Sequence, residues 1–213
     1  GVFTLGDVGE RQESGSWSTA SDVWAIGSPV IVAESNVGYF AGGNAAPNVV
    51  TQRIDYSNDT LGLLTGGDLT SPVMMGGGVS SLSHGYSVGG VDAIGANDQR
   101  STVNRLDYAN DDTTLIPRGP LTTGIAYQSS ASNRNYGYSM GGGNSPYKSH
   151  VERIDFGNDT ATATPKGPLS VTSIWIAAGT GNQNYGYAGG GYPGKTHIDR
   201  IDYSNDTPTA SPK

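Results

Sequence analysis

An arginine followed two residues later by an aspartate recurs four times along the chain, as Arg53 and Asp55, Arg105 and Asp107, Arg153 and Asp155, and Arg200 and Asp202. Guanidinium and carboxylate form short, charge-assisted hydrogen bonds. On a β-strand, residues two apart share a face, so each group can pair with its neighbour or with the next copy of the unit. Such copies make either a ring of ligand-binding groups or a set of packing contacts. Packing is favoured, because catalytic groups are seldom copied into every repeat whereas packing groups are.

An Asn-Asp pair follows each of these segments. Asn58, Asn158 and Asn205 open an Asn-x-Thr acceptor pattern for glycosylation, while Asn110 does not, since Asp112 replaces the threonine. Asp59, Asp111, Asp159 and Asp206 raise the question of calcium. Each turn offers only about two or three side-chain oxygens where the ion takes about six to eight, so a tight turn explains the pairs better. Glycine doublets at Gly42, Gly89, Gly141 and Gly190 precede neither a helix nor Gly-Lys-Ser/Thr, and read as close backbone approach at strand ends. His84, His150 and His197 fall in different units and read as different phases of the repeat, so no shared metal site is expected. The absence of cysteine removes thiol nucleophiles and Cys-ligated metals, and no Gly-x-Ser-x-Gly elbow occurs. The 19 acidic residues permit a carboxylate pair, yet nothing in the sequence selects one. The expectation is a protein that is not an enzyme, with no catalytic residue, metal or cofactor.

The elements that position these groups follow from self-similarity. The Arg positions are spaced by 52, 48 and 47 residues, and upstream of each lies an aromatic strand beginning at Gly38, Gly85, Gly137 or Gly186 and closing on a glycine doublet. Gly67, Gly119 and Gly167, each two residues before a leucine, open the last three units. The units are 20–66, 67–118, 119–166 and 167–213, preceded by a leader or connector at 1–19. Each reads as four short strands: a small, apolar run such as 173–178, the aromatic strand, an alternating strand such as 150–156, and a last strand at 160–164 after the Asn-Asp turn. In 150–156, Val151, Arg153 and Asp155 face one way and Glu152, Ile154 and Phe156 the other. Composition agrees: 33 Gly and 11 Pro among 213 residues disfavour helix, so the chain is expected to be all-β. Four antiparallel strands per period of about 50 residues is the pattern of a β-propeller blade.

The sequence from Val151 to Asp155, with Asn158 to Thr160 after it, a glycine doublet before it and Gly167 to Leu169 beyond, resembles the kelch repeat. The resemblance spans about 20–213 and implies a kelch-like propeller of four blades, or part of a larger one. Kelch units commonly carry a tryptophan a few residues after the turn, where this chain has Leu63, Leu115, Thr162 and Thr209. Kelch oxidases of the galactose oxidase sort need a cysteine bonded to a tyrosine, and sialidase propellers carry a Ser-x-Asp-x-Gly-x-Thr-Trp box; neither is present. The segment from Gly1 to Val8 with Gly15 to Trp17, and the tandem units themselves, are similar to tail-fibre and other virion structural proteins of tailed bacteriophages, especially those of marine cyanobacteria.

That resemblance implies a non-enzymatic virion protein of a tail or appendage, acting in host attachment or as a spacer. The alternative is an extracellular bacterial lectin or adhesin module. Partners implied are other virion proteins, copies of the chain itself with a trimer favoured, and a host cell-surface glycan or protein. Nucleic acid is not expected, because 12 basic against 19 acidic residues give a net charge of −7 with no basic patch. Membrane insertion is not expected, since no stretch approaches the apolar length of a spanning helix. The loop between doublet and Arg strand differs in every unit, and loops on a rigid scaffold commonly carry recognition. Asn97, Asp98, Tyr147, Lys148, Tyr192, Lys195 and His197 are the candidate contact residues.

Overall fold

The computed structural model describes residues 20–25, 28–33, 37–43, 49–63, 67–92, 98–143, 147–171, 178–191 and 196–213, with backbone alone for 20–33 and at Leu63. The leader expected at 1–19 and the loop residues Asn97, Tyr192 and Lys195 lie outside the described residues. The architecture is all-β. A hairpin of β1 (Ala20–Ala25) and β2 (Ser28–Ala33) precedes the sheet β3 (Val37–Ala41), β4 (Thr51–Asp55), β5 (Thr60–Leu63). Three four-stranded sheets follow: β6 (Gly77–Ser80), β7 (His84–Val88), β8 (Val103–Asp107), β9 (Ile116–Pro117); then β10 (Ser129–Ser132), β11 (Tyr136–Met140), β12 (Val151–Asp155), β13 (Thr164–Pro165); then β14 (Ala178–Gly181), β15 (Tyr185–Gly189), β16 (Ile198–Asp202), β17 (Ser211–Pro212).

Every sheet is an antiparallel meander in chain order. The first strands gather at the centre: β10 lies between β6 and β14, and β2 approaches all three. The arrangement is therefore propeller-like, with sheets stacked face on face. Stacking buries both faces of a strand, which is why Val151, Glu152 and Ile154 are all buried although they alternate in direction. Apolar clusters fill the spaces between sheets. Val88, Val103 and Ile125 pack in one, and Tyr138, Met140 and Val151 in the next.

Two glycine features explain the motif preceding each doublet. Gly137 leaves room for the Phe156 ring, whose Cζ stands 3.0 Å from where a Cβ would sit, and Gly85 and Gly186 do the same for Tyr108 and Tyr203. Gly90 takes φ +100, and a Cβ there would lie 2.7 Å from the Met74 carbonyl of its own unit. Its N–H donates to the Ile125 carbonyl of the next unit at 2.7 Å, which is close backbone approach at a strand end.

Two boundaries differ from the sequence expectation. The first strand of the last unit is Ala178–Gly181, C-terminal to the run 173–178 expected for it, of which 173–177 lie outside the described residues. The last strand of the third unit is Thr164–Pro165 instead of 160–164. A short 3-10 turn at Phe156–Asn158 is capped by the Asp155 carboxylate, the Ala161 N–H bonds the Asn158 carbonyl, and the Ala163 N–H goes to Pro120. The N–H groups of Ala161 and Ala163 are thus committed to the turn and to the opening of the unit, and the ladder begins after them.

Candidate functional site

The repeated polar residues form a clamp between consecutive sheets. Tyr138 on β11 and Arg153 on β12 are opposite each other in register. Both donate to one oxygen of Asp206 in the next unit, the hydroxyl at 2.9 Å and the guanidinium at 2.9 Å, while Lys166 reaches the other oxygen at 2.9 Å. Tyr86 and Arg105 donate to Asp159 at 3.0 and 2.9 Å, with Arg118 at 3.4 Å. Tyr39 and Arg53 donate to Asp111 at 2.8 and 3.0 Å, with no second cation among the described residues. The tyrosine rings stack on the aromatic residue that begins the next unit's turn: Tyr39 on Tyr108 at 5.3 Å, Tyr86 on Phe156 at 4.9 Å and Tyr138 on Tyr203 at 4.6 Å.

The arginine and aspartate two positions apart therefore do different work. Arg53, Arg105 and Arg153 reach across to the next sheet, while their Asp neighbours hold their own turns. Asp55 accepts from the Ser57 N–H and hydroxyl at 2.9 and 2.6 Å, Asp107 from the Ala109 N–H, Asp155 from the Gly157 N–H, and Asp202 from the Ser204 N–H and hydroxyl. The hydroxyls of Ser57 and Ser204 hold the Asp55 and Asp202 carboxyls below their ordinary range, helped by the backbone N–H groups. The clamp acceptors are the aspartates of the Asn-Asp turn. Asp159 and Asp206 each face two cations, an electrostatic setting opposite to that of a calcium ligand. A signal for them was present in the sequence: a basic residue follows proline at Arg118, Lys166 and Lys213, one period from each other.

Burial raises the pKa of Tyr39, Tyr86 and Tyr138, and the carboxylate each one donates to raises it further. Burial pushes Tyr108 up to about 12. A group whose folded pKa is raised contributes stability that is complete below the unfolded value, about 10 for tyrosine, and lost as pH rises through the folded value. Spectrophotometric titration is accordingly expected to find the clamp tyrosines silent near pH 10 and ionising only as the chain unfolds at higher pH. A single transition accounting for all 12 tyrosines near pH 10 in a folded chain would contradict the clamp.

A second recurring contact lies on the opposite face of the Arg strand. Glu152 is fully buried and accepts from the Thr122 N–H at 2.6 Å, the Thr122 hydroxyl at 2.9 Å and the His150 ring. Asp199, equally buried, accepts from the Ser170 N–H at 2.8 Å and lies 3.0 Å from His197 Nε2, and Asn104 pairs with Thr70 at 3.0 Å. His150 and His197 thus occupy equivalent positions, three residues before Arg153 and Arg200, which corrects the different phases read for them; His84 alone is out of phase. Burial by itself would raise the Glu152 carboxyl, but the His150 ring and Thr122 outweigh it and leave it below the usual range. Its contribution is complete above the unfolded value of about 4.3 and lost as pH falls through the lower folded value. The urea midpoint of Glu152→Gln is expected to change less than that of the parent chain on acidification below that value.

Ser170, His197 and Asp199 resemble a nucleophile, base and acid by type. The Ser170 hydroxyl lies 2.8 Å from Nε2 of His197, and Asp199 meets the same nitrogen. A relay needs the serine and the carboxylate on opposite ring nitrogens, so this arrangement positions the chain and does not activate the hydroxyl. His197 is therefore an internal contact within the fold. Lys148 donates to the Gly124 carbonyl at 2.9 Å. Asp98 is exposed and sits 3.7 Å from Arg100, which also pairs with Asp92, and Tyr147 is half-buried. Gly124, whose carbonyl Lys148 reaches, lies against Gln99, so the segment of Asp98 adjoins that of Tyr147 and Lys148, while His197 belongs to the next unit.

A cleft of about 350 Å³ opens between the sheets β3–β5 and β6–β9, with Tyr39, Phe40, Met75, Tyr86 and Tyr108 among its walls. The residues that line it include no carboxylate, histidine, lysine or arginine, so it offers apolar side chains with hydroxyl and backbone groups among them.

No protein-family model matches the chain, and no curated protein matches it in sequence. Its shape is similar to that of a solved protein titled "Structure of YjhT", with a TM-score of 0.62 at 14% identity, over 78% of this chain and 52% of that one. At that identity the likeness concerns the fold, and the chain spans about half the length of the protein it matches.

Proposed function

We propose that the chain is a kelch-like propeller module of a tailed-bacteriophage virion, in a tail fibre or similar appendage, serving host attachment or acting as a spacer without catalysing a reaction. One observation carries the proposal: the residues copied into the units are occupied in holding neighbouring sheets together, through Asp111, Asp159 and Asp206, and in capping turns. What varies from unit to unit is the loop after the doublet, where recognition is commonly carried on a rigid scaffold. Virion origin rests on the resemblance of the tandem units. An extracellular bacterial lectin or adhesin would use the same loops.

The test is binding of the labelled chain to a panel of bacterial cells, with competition by their purified surface polysaccharide. Saturable binding that is weakened by Asp98→Ala and Tyr147→Ala is the expected result. Incubation with the same polysaccharide is expected to release no reducing ends above a boiled control; release would overturn the non-enzymatic reading. Labelling of phage particles by antiserum to the chain separates the virion from the bacterial alternative.

A further inference from the structure

Each clamp takes its donors from one unit and its acceptor from the next, and among the described residues the donors of one sheet and the acceptor of another stand without such a partner. The donor set is on the last sheet. Tyr187 and Arg200 are opposite each other in register, as Tyr138 and Arg153 are, and Lys213 follows Pro212 as Lys166 follows Pro165. Arg200 lies over the Tyr185 ring at 4.4 Å, matching Arg153 over Tyr136 at 4.2 Å, so its stem is already aimed like that of the clamped residue. Among the described residues none of the three donors is paired with a carboxylate. Beside them Ile198 is 42% exposed, whereas Val103 and Val151 at the same position are 1% exposed.

The unused acceptor is on the first described three-stranded sheet. Asp59 occupies the Asn-Asp turn, is exposed, and has no ion pair among the described residues. Beside it Tyr56 is 37% exposed, while Tyr203 in the equivalent place under Tyr138 is 8% exposed. Asp59 stands at φ +54, against −73 for the clamped Asp159.

We infer that these two faces dock on each other between two copies of the chain, head to tail. Tyr187 of one copy stacks on Tyr56 of the other, and the Tyr187 hydroxyl, Arg200 and Lys213 converge on Asp59, drawing its turn into the form taken at Asp159. Charge complementarity selects the occupant: two cations meet one carboxylate, in an arrangement that Asp159 and Asp206 already show within the chain. The matched 78% of this chain covers 52% of the protein of similar fold, so the matched parts of two copies together have about the extent of one such chain. The contact is heterologous, with different residues on its two sides, and it closes into a ring or continues according to the rotation between copies. It does not depend on where the protein works.

The chain's mass is measured by light scattering, together with Asp59→Asn and the pair Arg200→Glu with Lys213→Glu. Asparagine suits a positive φ, so the first variant removes the charge with little change to the turn. The parent chain is expected to run as two or more copies, and each variant alone as a monomer with unchanged circular dichroism. Mixing the two variants is expected to restore a dimer and nothing larger, since one intact donor face meets one intact acceptor face. Lys213→Glu alone, at an exposed residue, is expected to weaken association about tenfold. A parent chain that stays monomeric overturns the inference, as do variants that keep the parent mass or fail to complement. A monomer whose melting temperature falls in both variants places the contact within one chain, and also overturns it.

Discussion

Asp159→Ala is expected to lower the unfolding free energy by about 3 kcal/mol, because it leaves two largely buried cations without their counter-charge. The carboxylate is 8% exposed and holds Tyr86, Arg105 and Arg118, whose guanidinium-bearing side chains are 21% and 17% exposed. Removing one partner of such a set forfeits its Coulomb attraction while the remaining charges keep their desolvation cost. Asp111→Ala is expected to cost about 1 kcal/mol, since Arg53 remains 46% exposed and water takes over the lost contact. Urea denaturation of the two variants checks the order. Equal losses would mean that the clamp's strength does not come from its second cation and its burial.

Tyr138→Ala is expected to cost about 4 kcal/mol, the larger part from the ring and the smaller from the hydroxyl. Tyr138 is completely buried, its ring lies 4.6 Å from Tyr203 at 13°, and its hydroxyl donates to Asp206. Deleting the ring opens a cavity between two sheets that their shared backbone bonds keep from collapsing. Tyr138→Phe keeps the stack and removes only the hydroxyl, so a loss of about 1 to 2 kcal/mol is expected for it. The comparison is made by the urea midpoint of each variant at constant slope. If the phenylalanine variant lost as much as the alanine variant, the polar contact and not the stacking would hold the sheets together.

Both effects arise from contacts that lie one period apart in the chain, and that distance decides what was legible. The period, the all-β class and, in the last three units, the four-strand pattern were readable because they are local, since glycine and proline disfavour helix and alternation has a period of two; in 20–66 the first two strands form a hairpin of their own beside a three-stranded sheet. The Arg strand was placed nearly to the residue, as Val151–Asp155 against 150–156. So was the role of Asp55, Asp107, Asp155 and Asp202 as members of a repeated polar set, though not their task as turn caps. The equivalent placing of His150 and His197 was also there to be counted and was misread.

The repeating unit and the face on which each side chain stands can be read from the residues alone, since both follow from the backbone's own geometry. Which groups meet follows from the packing of one unit on the next: Arg53 with Asp111, Arg105 with Asp159 and Arg153 with Asp206, across 58, 54 and 53 residues. A strand's alternation tells which side of a sheet a guanidinium occupies, but the surface laid against that side comes from another unit. The same cause moved the last strand of the third unit to Thr164–Pro165, because the Ala163 N–H finds the Pro120 carbonyl, a partner that only folding brings near. It also gave His197 and Lys148 partners in the fold, since Ser170 and Gly124 come within hydrogen-bond reach only when each unit has folded.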